Sequence, residues 1–174
     1  MKLIKKTIIS ALYESFEASF IALICFVIGN YLISLAHDGK GYIDGLWCMI
    51  SSLVVLQSFV SETLDASKSR ISGTVIASII SALSCLIFGY GYIAIFLSIS
   101  LSLLIMKFFN FSEGVRIATA TAAVITGYGF IKPEYSPILN ATMRSIDTLI
   151  GVGISITVVY VSYLLHFRKR HNDK

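Results

Sequence analysis

The chain has 174 residues, 56% of them hydrophobic and 14% charged, with a net charge of +4 and a mean hydropathy of +0.81. About a quarter of the residues of an ordinary soluble domain are charged, so this composition describes a polytopic membrane protein and excludes a soluble enzyme or a nucleic-acid-binding module. Cys25, Cys48 and Cys85 all fall in apolar runs, and three such thiols are no disulfide framework.

Residues 1–17 open the chain with Lys2, Lys5 and Lys6 and with Leu3, Ile4, Ile8, Ile9, Leu12 and Phe16 at helical spacing. This predicts an amphipathic lead-in at the cytoplasmic interface that runs into the first span. No secretory signal with a small-residue cleavage site is found, so the first apolar run is expected to stay in the mature protein. A span needs about 20 apolar residues. The runs predict six spans, at about 18–35, 43–60, 71–88, 93–109, 115–131 and 138–167. Polar turns separate them at 37–41, 89–92, 110–114 and 132–137, and a basic tail, 168–174, follows. The expected fold class is all-α, with one transmembrane domain over 18–167.

Residues 61–74 break this pattern. They hold Glu62, Asp65, Lys68 and Arg70 between two apolar runs. A charge at a bilayer centre costs about 3 kcal/mol on insertion scales, so the stretch is expected to reach water or to face a protein-lined cavity.

With the amino terminus in the cytoplasm, six spans put eleven basic residues on the cytoplasmic side and three, Lys40, Lys132 and Arg144, outside. Such a bias supports both the span count and the orientation. Tyr42, Tyr90, Tyr92, Tyr128 and Tyr135 then map to the outer interface, where amphipathic rings prefer to sit. Gly73, Ala77, Ser81, Cys85 and Gly89 recur every fourth residue in the third span, and the fifth has two such rows, Ala118/Ala122/Thr126 and Thr119/Ala123/Gly127. Small residues let helices approach closely in lipid; one row can also line a substrate path.

Residues 70–81 and 144–155 align without gaps, matching Arg70 with Arg144, Thr74 with Thr148, Ala77 with Gly151 and Ser81 with Ser155. The chain then divides into two three-helix units. An odd number of spans per unit makes the second insert inverted, a hallmark of secondary transporters.

Trp47, residues 50–57 ending in Gln57, residues 61–63 and residues 70–74, with residues 144–151 as a closing motif, resemble the fusaric acid resistance and aromatic acid exporter family (FUSC-like). The resemblance covers residues 18–165. It implies a six-helix unit in the bacterial inner membrane and proton-driven efflux of small organic, above all aromatic carboxylic, acids. It also implies a periplasmic adaptor as a candidate partner. Larger members carry two such units and a cytosolic region, so a single unit is expected to form a homodimer or higher homo-oligomer. This chain departs from the pattern with Ser58 where proline is common and Ala77 where glycine is common.

Arg70 and Arg144 are the candidate anion-binding groups, since a guanidinium holds a carboxylate through two parallel bonds. Asp147 can neutralise Arg144 instead. Thr74, Thr148 and Gln57, the last read as deep in the second span, complete the substrate-binding candidates. Glu17, Glu62 and Asp65 are candidates for proton coupling, while Glu14 and Glu17 can also pair with Lys6. Asn30 reads as a hydrogen-bonding link between helices. His37, His166 and His171 show no metal-ligand spacing, no cofactor motif occurs, and no phosphate loop, nucleophile elbow or HExxH marks an enzyme. The alternative to transport is a membrane interaction or assembly subunit. Reporter fusions should find Gly39, Gly91 and Pro133 outside and both termini in the cytoplasm; a cytoplasmic signal at Pro133 would remove the sixth span and the repeat with it.

Overall fold

The computed structural model describes residues 2–34, 42–111 and 113–165, with side chains at residue 8, 11–31, 45–111 and 113–165. The turn at 37–41, the tail at 168–174 and all three histidines lie outside the described residues, as do the side chains of the leading lysines. The described residues form six α-helices: α1 (Lys2–Ser34), α2 (Tyr42–Val55), α3 (Val60–Phe88), α4 (Tyr92–Phe108), α5 (Gly114–Ile131) and α6 (Pro137–Leu164). Four segments are long and apolar enough to cross a membrane: Ala11–Tyr31, Val60–Phe88, Gly114–Ile131 and Pro137–Leu164. The other two helices, α2 and α4, are apolar but have 14 and 17 residues, which is about 21 and 25 Å against a hydrocarbon core of about 30 Å.

Three helix limits depart from the sequence reading. The lead-in is one continuous helix with the first span, so Glu14 and Glu17 lie within the candidate span instead of preceding it. The second helix stops at Val55, and Gln57 sits exposed in the connection 56–59 rather than deep in a span. The charged stretch is not a break. It forms the first turns of α3, because its polar groups are helically sorted: Glu62, Asp65 and Lys68 fall on an exposed stripe, while Thr63, Ser67, Arg70 and Thr74 fall on a buried one. The Thr63 hydroxyl fastens the connection. It accepts the Gln57 N–H at 3.1 Å and lies 3.3 and 3.1 Å from the carbonyls of Gln57 and Phe59.

Other ends have local causes. Gly89 closes α3 at φ +70°, a left-handed position that glycine takes without strain. Asn110 does the same for α4 at φ 58°. The Asn110 N–H reaches the Lys107 carbonyl and the Phe111 N–H the Met106 carbonyl, the two bonds of a Schellman end. Pro137 starts α6, where its missing N–H costs nothing.

The contacts divide the chain into two compact bodies, residues 1–64 with 150–174 and residues 65–149. This division does not fall at the midpoint of the sequence repeat. The residues matched between the two aligned segments are all buried, Arg70 and Arg144, Thr74 and Thr148, Ala77 and Gly151, and Ser81 and Ser155, Gly151 by its close approach to α2.

In the first body α1 buries Glu17, Ile21, Cys25 and Gly29, one residue per turn, and turns Leu12, Phe16, Phe20, Leu23 and Val27 outward. Ile21 and Cys25 pack on Cys48 of α2, with Ile150, Ile154 and Val158 of α6 against them. Backbone approach sets the spacing. A Cβ on Gly29 would lie 2.9 Å from Cys48 Cβ and from Gly45 Cα. The Asn30 amide oxygen accepts the Gly45 N–H at 3.2 Å, satisfying an otherwise orphan donor in the first turn of α2. Asn30 is thus the link between helices that its sequence position suggested. Gly151 meets α2 in the same way, and Ser155 donates to the Ser52 carbonyl at 2.9 Å.

In the second body the period-four row of α3 is its packing face: Gly73, Ala77, Ser81 and Cys85 are buried. Ala77 packs with Met106 of α4 and with Ala118 and Ala122 of α5. Of the two rows on α5, Ala118/Ala122/Thr126 is buried, and the other turns outward at Ala123. The Asn140 amide of α6 donates to the Ile125 carbonyl of α5 at 2.8 Å. At one end, the ring of Tyr92 packs tilted on Phe130 and that of Tyr128 on Tyr135, and the Tyr90 hydroxyl donates to the Tyr135 carbonyl at 3.0 Å. Burial raises the Tyr90 phenol above its ordinary pKa, the Cys85 thiol adds to the rise, and the Asn140 contact opposes it. A Cβ on Gly151 would lie 2.3 Å from the Cys48 carbonyl oxygen, whereas one on Gly153 would meet nothing within 4 Å. Gly151→Ala should therefore lose about 1–3 kcal/mol and several degrees of Tm in detergent, while Gly153→Ala should be neutral or gain slightly. Equal Tm values for the two variants would show that this approach is not what limits the spacing.

Candidate functional site

Most of the substrate-binding candidates share the second body and two helices. The third helix brings Arg70 and Thr74 to its buried face, and α6 brings Arg144, Asp147 and Thr148 to its own. The two helices run side by side. Ser145 of α6 donates to the hydroxyl of Ser78 on α3 at 3.1 Å. A groove of about 350 Å³ between them is lined by residues 75–86 of α3 and 138–145 of α6, which makes the pair antiparallel. Arg70 stands eight residues before Ser78, about 12 Å along the axis, and Arg144 is next to Ser145.

Arg144 and Asp147 form an ion pair at 3.1 Å, with their side chains 7% and 0% exposed. The spacing i, i+3 puts both on one helix face. Desolvating two such charges is costly, and their attraction offsets that cost only when the geometry and the surrounding hydrogen bonds are good. Arg70 is buried to a similar degree, at 9% exposure. Neither arginine stands at a helix mouth: Arg144 is eight residues into α6 and Arg70 eleven into α3, about 10 and 15 Å from the respective helix starts.

The three acids read as proton-coupling candidates part company. Glu62 is exposed, and Asp65 pairs with Lys68 at 3.1 Å with both side chains largely in the open. Glu17, in the first body, is 5% exposed. Ser162 of α6 donates to its carboxylate, and Tyr13 donates to Ser162 at 3.0 Å. Glu14 beside it accepts from Ser58 at 3.4 Å. Sequence reasoning missed Ser162 and Tyr13 because their contacts bridge residues 145 and 149 positions apart. It also missed Ser78 with Ser145, and the fully buried Ser98 and Ser102 of α4. The Gln57 backbone serves the Thr63 connection. Among the described residues no three His, Cys, Asp or Glu side chains gather as a metal site.

A family model described as fusaric acid resistance protein-like matches residues 21–158, more than three quarters of the chain. The chain belongs to the fusaric acid resistance protein-like family. That is a family of membrane transporters and not of enzymes, and with its apolar helices the chain is a membrane protein. The match includes Gln57, Arg70, Thr74, Arg144, Asp147 and Thr148; Glu17 precedes its first residue. No curated protein and no solved structure matches the chain.

The buried pair in this family member makes a defined stability prediction. Asp147→Asn leaves the Arg144 charge buried without its counter-charge and should cost about 3–5 kcal/mol, seen as a large loss of folded protein in the membrane. Adding Arg144→Met should restore most of it, since a buried pair replaced by apolar side chains is often neutral or stabilising. A double variant as unstable as the single one would show that the pair is not the source of the loss.

Proposed function

We propose that this family member is a secondary exporter of small organic anions, with aromatic carboxylic acids as the leading substrate class and the proton gradient as the driving force. One observation carries the reading: α3 and α6, side by side in the second body, each bury an arginine, Arg70 and Arg144, inside a bundle with an apolar exterior. Two buried guanidinium groups suit a ligand with one negative charge, since arginine binds a carboxylate through paired bonds. Thr74 and Thr148, one turn beyond each arginine, supply hydroxyls to the same helix faces.

The reading carries further parts. On this reading all six helices span the bacterial inner membrane with both termini cytoplasmic, with α2 and α4 tilted little or set in locally thinned bilayer. The paired burial of the two repeat copies supports an inverted duplication. Glu17, held by Ser162, is the acid best suited to carry a proton, since an ionisable group inside a span is costly unless used; Glu62 and Asp65 are too exposed to need such a role. A homodimer is the proposed assembly, and a periplasmic adaptor is a further candidate partner. The rival reading is an assembly subunit without transport.

The test is efflux of benzoate and related acids from vesicles, normalised to folded protein. Arg70→Ala should lower the rate at least tenfold by weakening capture from the cytoplasm, and Arg144→Ala, made with Asp147→Ala so that no partner charge is left behind, should slow release or return. Lysine at either position should rescue only in part, because it lacks the planar fork. Full rescue by lysine, or undiminished efflux from both alanine variants, would remove the arginines from the substrate path.

A further inference from the structure

We infer that the second body contains a water-binding path of its own, formed where the hydroxyl-bearing rows of α3 and α4 face each other. The buried positions of α4 are Ala94, Ser98, Ser102 and Met106, one per turn. The three-residue connection 89–91 folds α4 back antiparallel to α3. Counting from that turn sets Ser98 level with Ser81, and Ser102 within a turn of Ser78 and Thr74. Met106 then reaches Ala77, Ala118 and Ala122 and closes the row at one end.

A row of small residues alone is a packing device, and alanine would serve it as well as serine. What distinguishes this row is its hydroxyls. Thr74, Ser81, Ser98 and Ser102 are at most 1% exposed, and the hydroxyl oxygen of each has no hydrogen-bond partner among the described residues. Serine and threonine in a helix commonly satisfy themselves on the carbonyl one turn back. Other hydroxyls of this body do so: Thr126 bonds to Ala122 at 2.7 Å, Thr142 to Ile138 at 2.8 Å and Ser145 to Ala141 at 3.1 Å. The four in the row are buried without that bond. A buried hydroxyl without a partner carries its full desolvation penalty. Four of them on two facing helices are accounted for by a ligand that both donates and accepts hydrogen bonds and is small enough to pass between serine side chains. Water has that chemistry. Each bound molecule would bridge hydroxyls across the row, as buried waters do elsewhere in proteins. The path rests on the transport reading only in that a hydrated row would give a polar solute a route.

The test is thiol labelling of the full-length protein in native membranes. Ser81→Cys, Ser98→Cys and Ser102→Cys are made singly in a chain with Cys25→Ala, Cys48→Ala and Cys85→Ala. The probe is a permanently charged methanethiosulfonate, which needs water and a thiolate to react. Leu104→Cys, on the outward face of α4 at 59% exposure, is the lipid-facing control. Labelling of the serine positions at least tenfold faster than the control is the expected result; rates at or below the control overturn the proposal. Should the cysteine-free chain fail to fold, Ser98→Ala and Ser102→Ala in the native sequence decide. A rise in Tm means that the hydroxyls were merely unsatisfied and overturns the path, whereas an unchanged or lower Tm supports it. Fast labelling in a protein that moves no organic acid would keep the path and remove the transport reading.

Discussion

The structure is governed by one constraint: a charge carried by an apolar helix must either reach the open or be buried against groups that answer it. The Arg144–Asp147 pair is its clearest expression. Three residues apart on one helix, the two groups neutralise each other without help from loop or solvent. A lone charge at that depth would cost several kcal/mol, and the helix spacing removes most of that cost locally. The same constraint sorts α3. Its four charged residues divide into an exposed stripe and a buried arginine, and the helix persists through them because the sorting follows its period.

Between helices that float in hydrocarbon, apolar burial gives little driving force, and close backbone approach takes its place. The two bodies use it differently. In the first, glycines admit a neighbouring backbone, and Asn30 and Ser155 place hydrogen bonds on groups of α2. In the second, alanine and serine rows meet, and Gly73 comes within reach of the Gly114 carbonyl of α5. One arrangement is locked by specific polar bonds, while the other keeps several hydroxyls uncommitted. A bundle that must admit a polar solute needs the second kind of interface on some path through it.

Much of this was legible in the residues. The period-four row on α3, the first of the two rows on α5, the role of Asn30 and the Arg144–Asp147 proximity all follow from helical geometry within a few turns. The limits of α2 and α3 were not legible, because residues 56–59 hold neither glycine nor proline and the break depends on the side chain of Thr63. Gln57 was accordingly placed too deep. The three acids looked alike in sequence and separate only in tertiary context: Glu17 is enclosed by residues of α6 far along the chain, whereas Glu62 and Asp65 fall on the open stripe. Burial of that kind depends on long-range contacts, to which local periodicity is blind.

The two arginines occupy equivalent places in the repeat, yet their surroundings have diverged. Three residues after Arg144 stands Asp147; three after Arg70 stands Gly73, where a side chain would strike the carbonyl of Gly114 at 2.9 Å. The position that supplies a counter-charge in one copy supplies a helix contact in the other. An acid there could not be accommodated beside α5, so the Arg70 copy cannot adopt the same local neutralisation. At this position the tight packing of α3 on α5 stands where the other segment carries an acid.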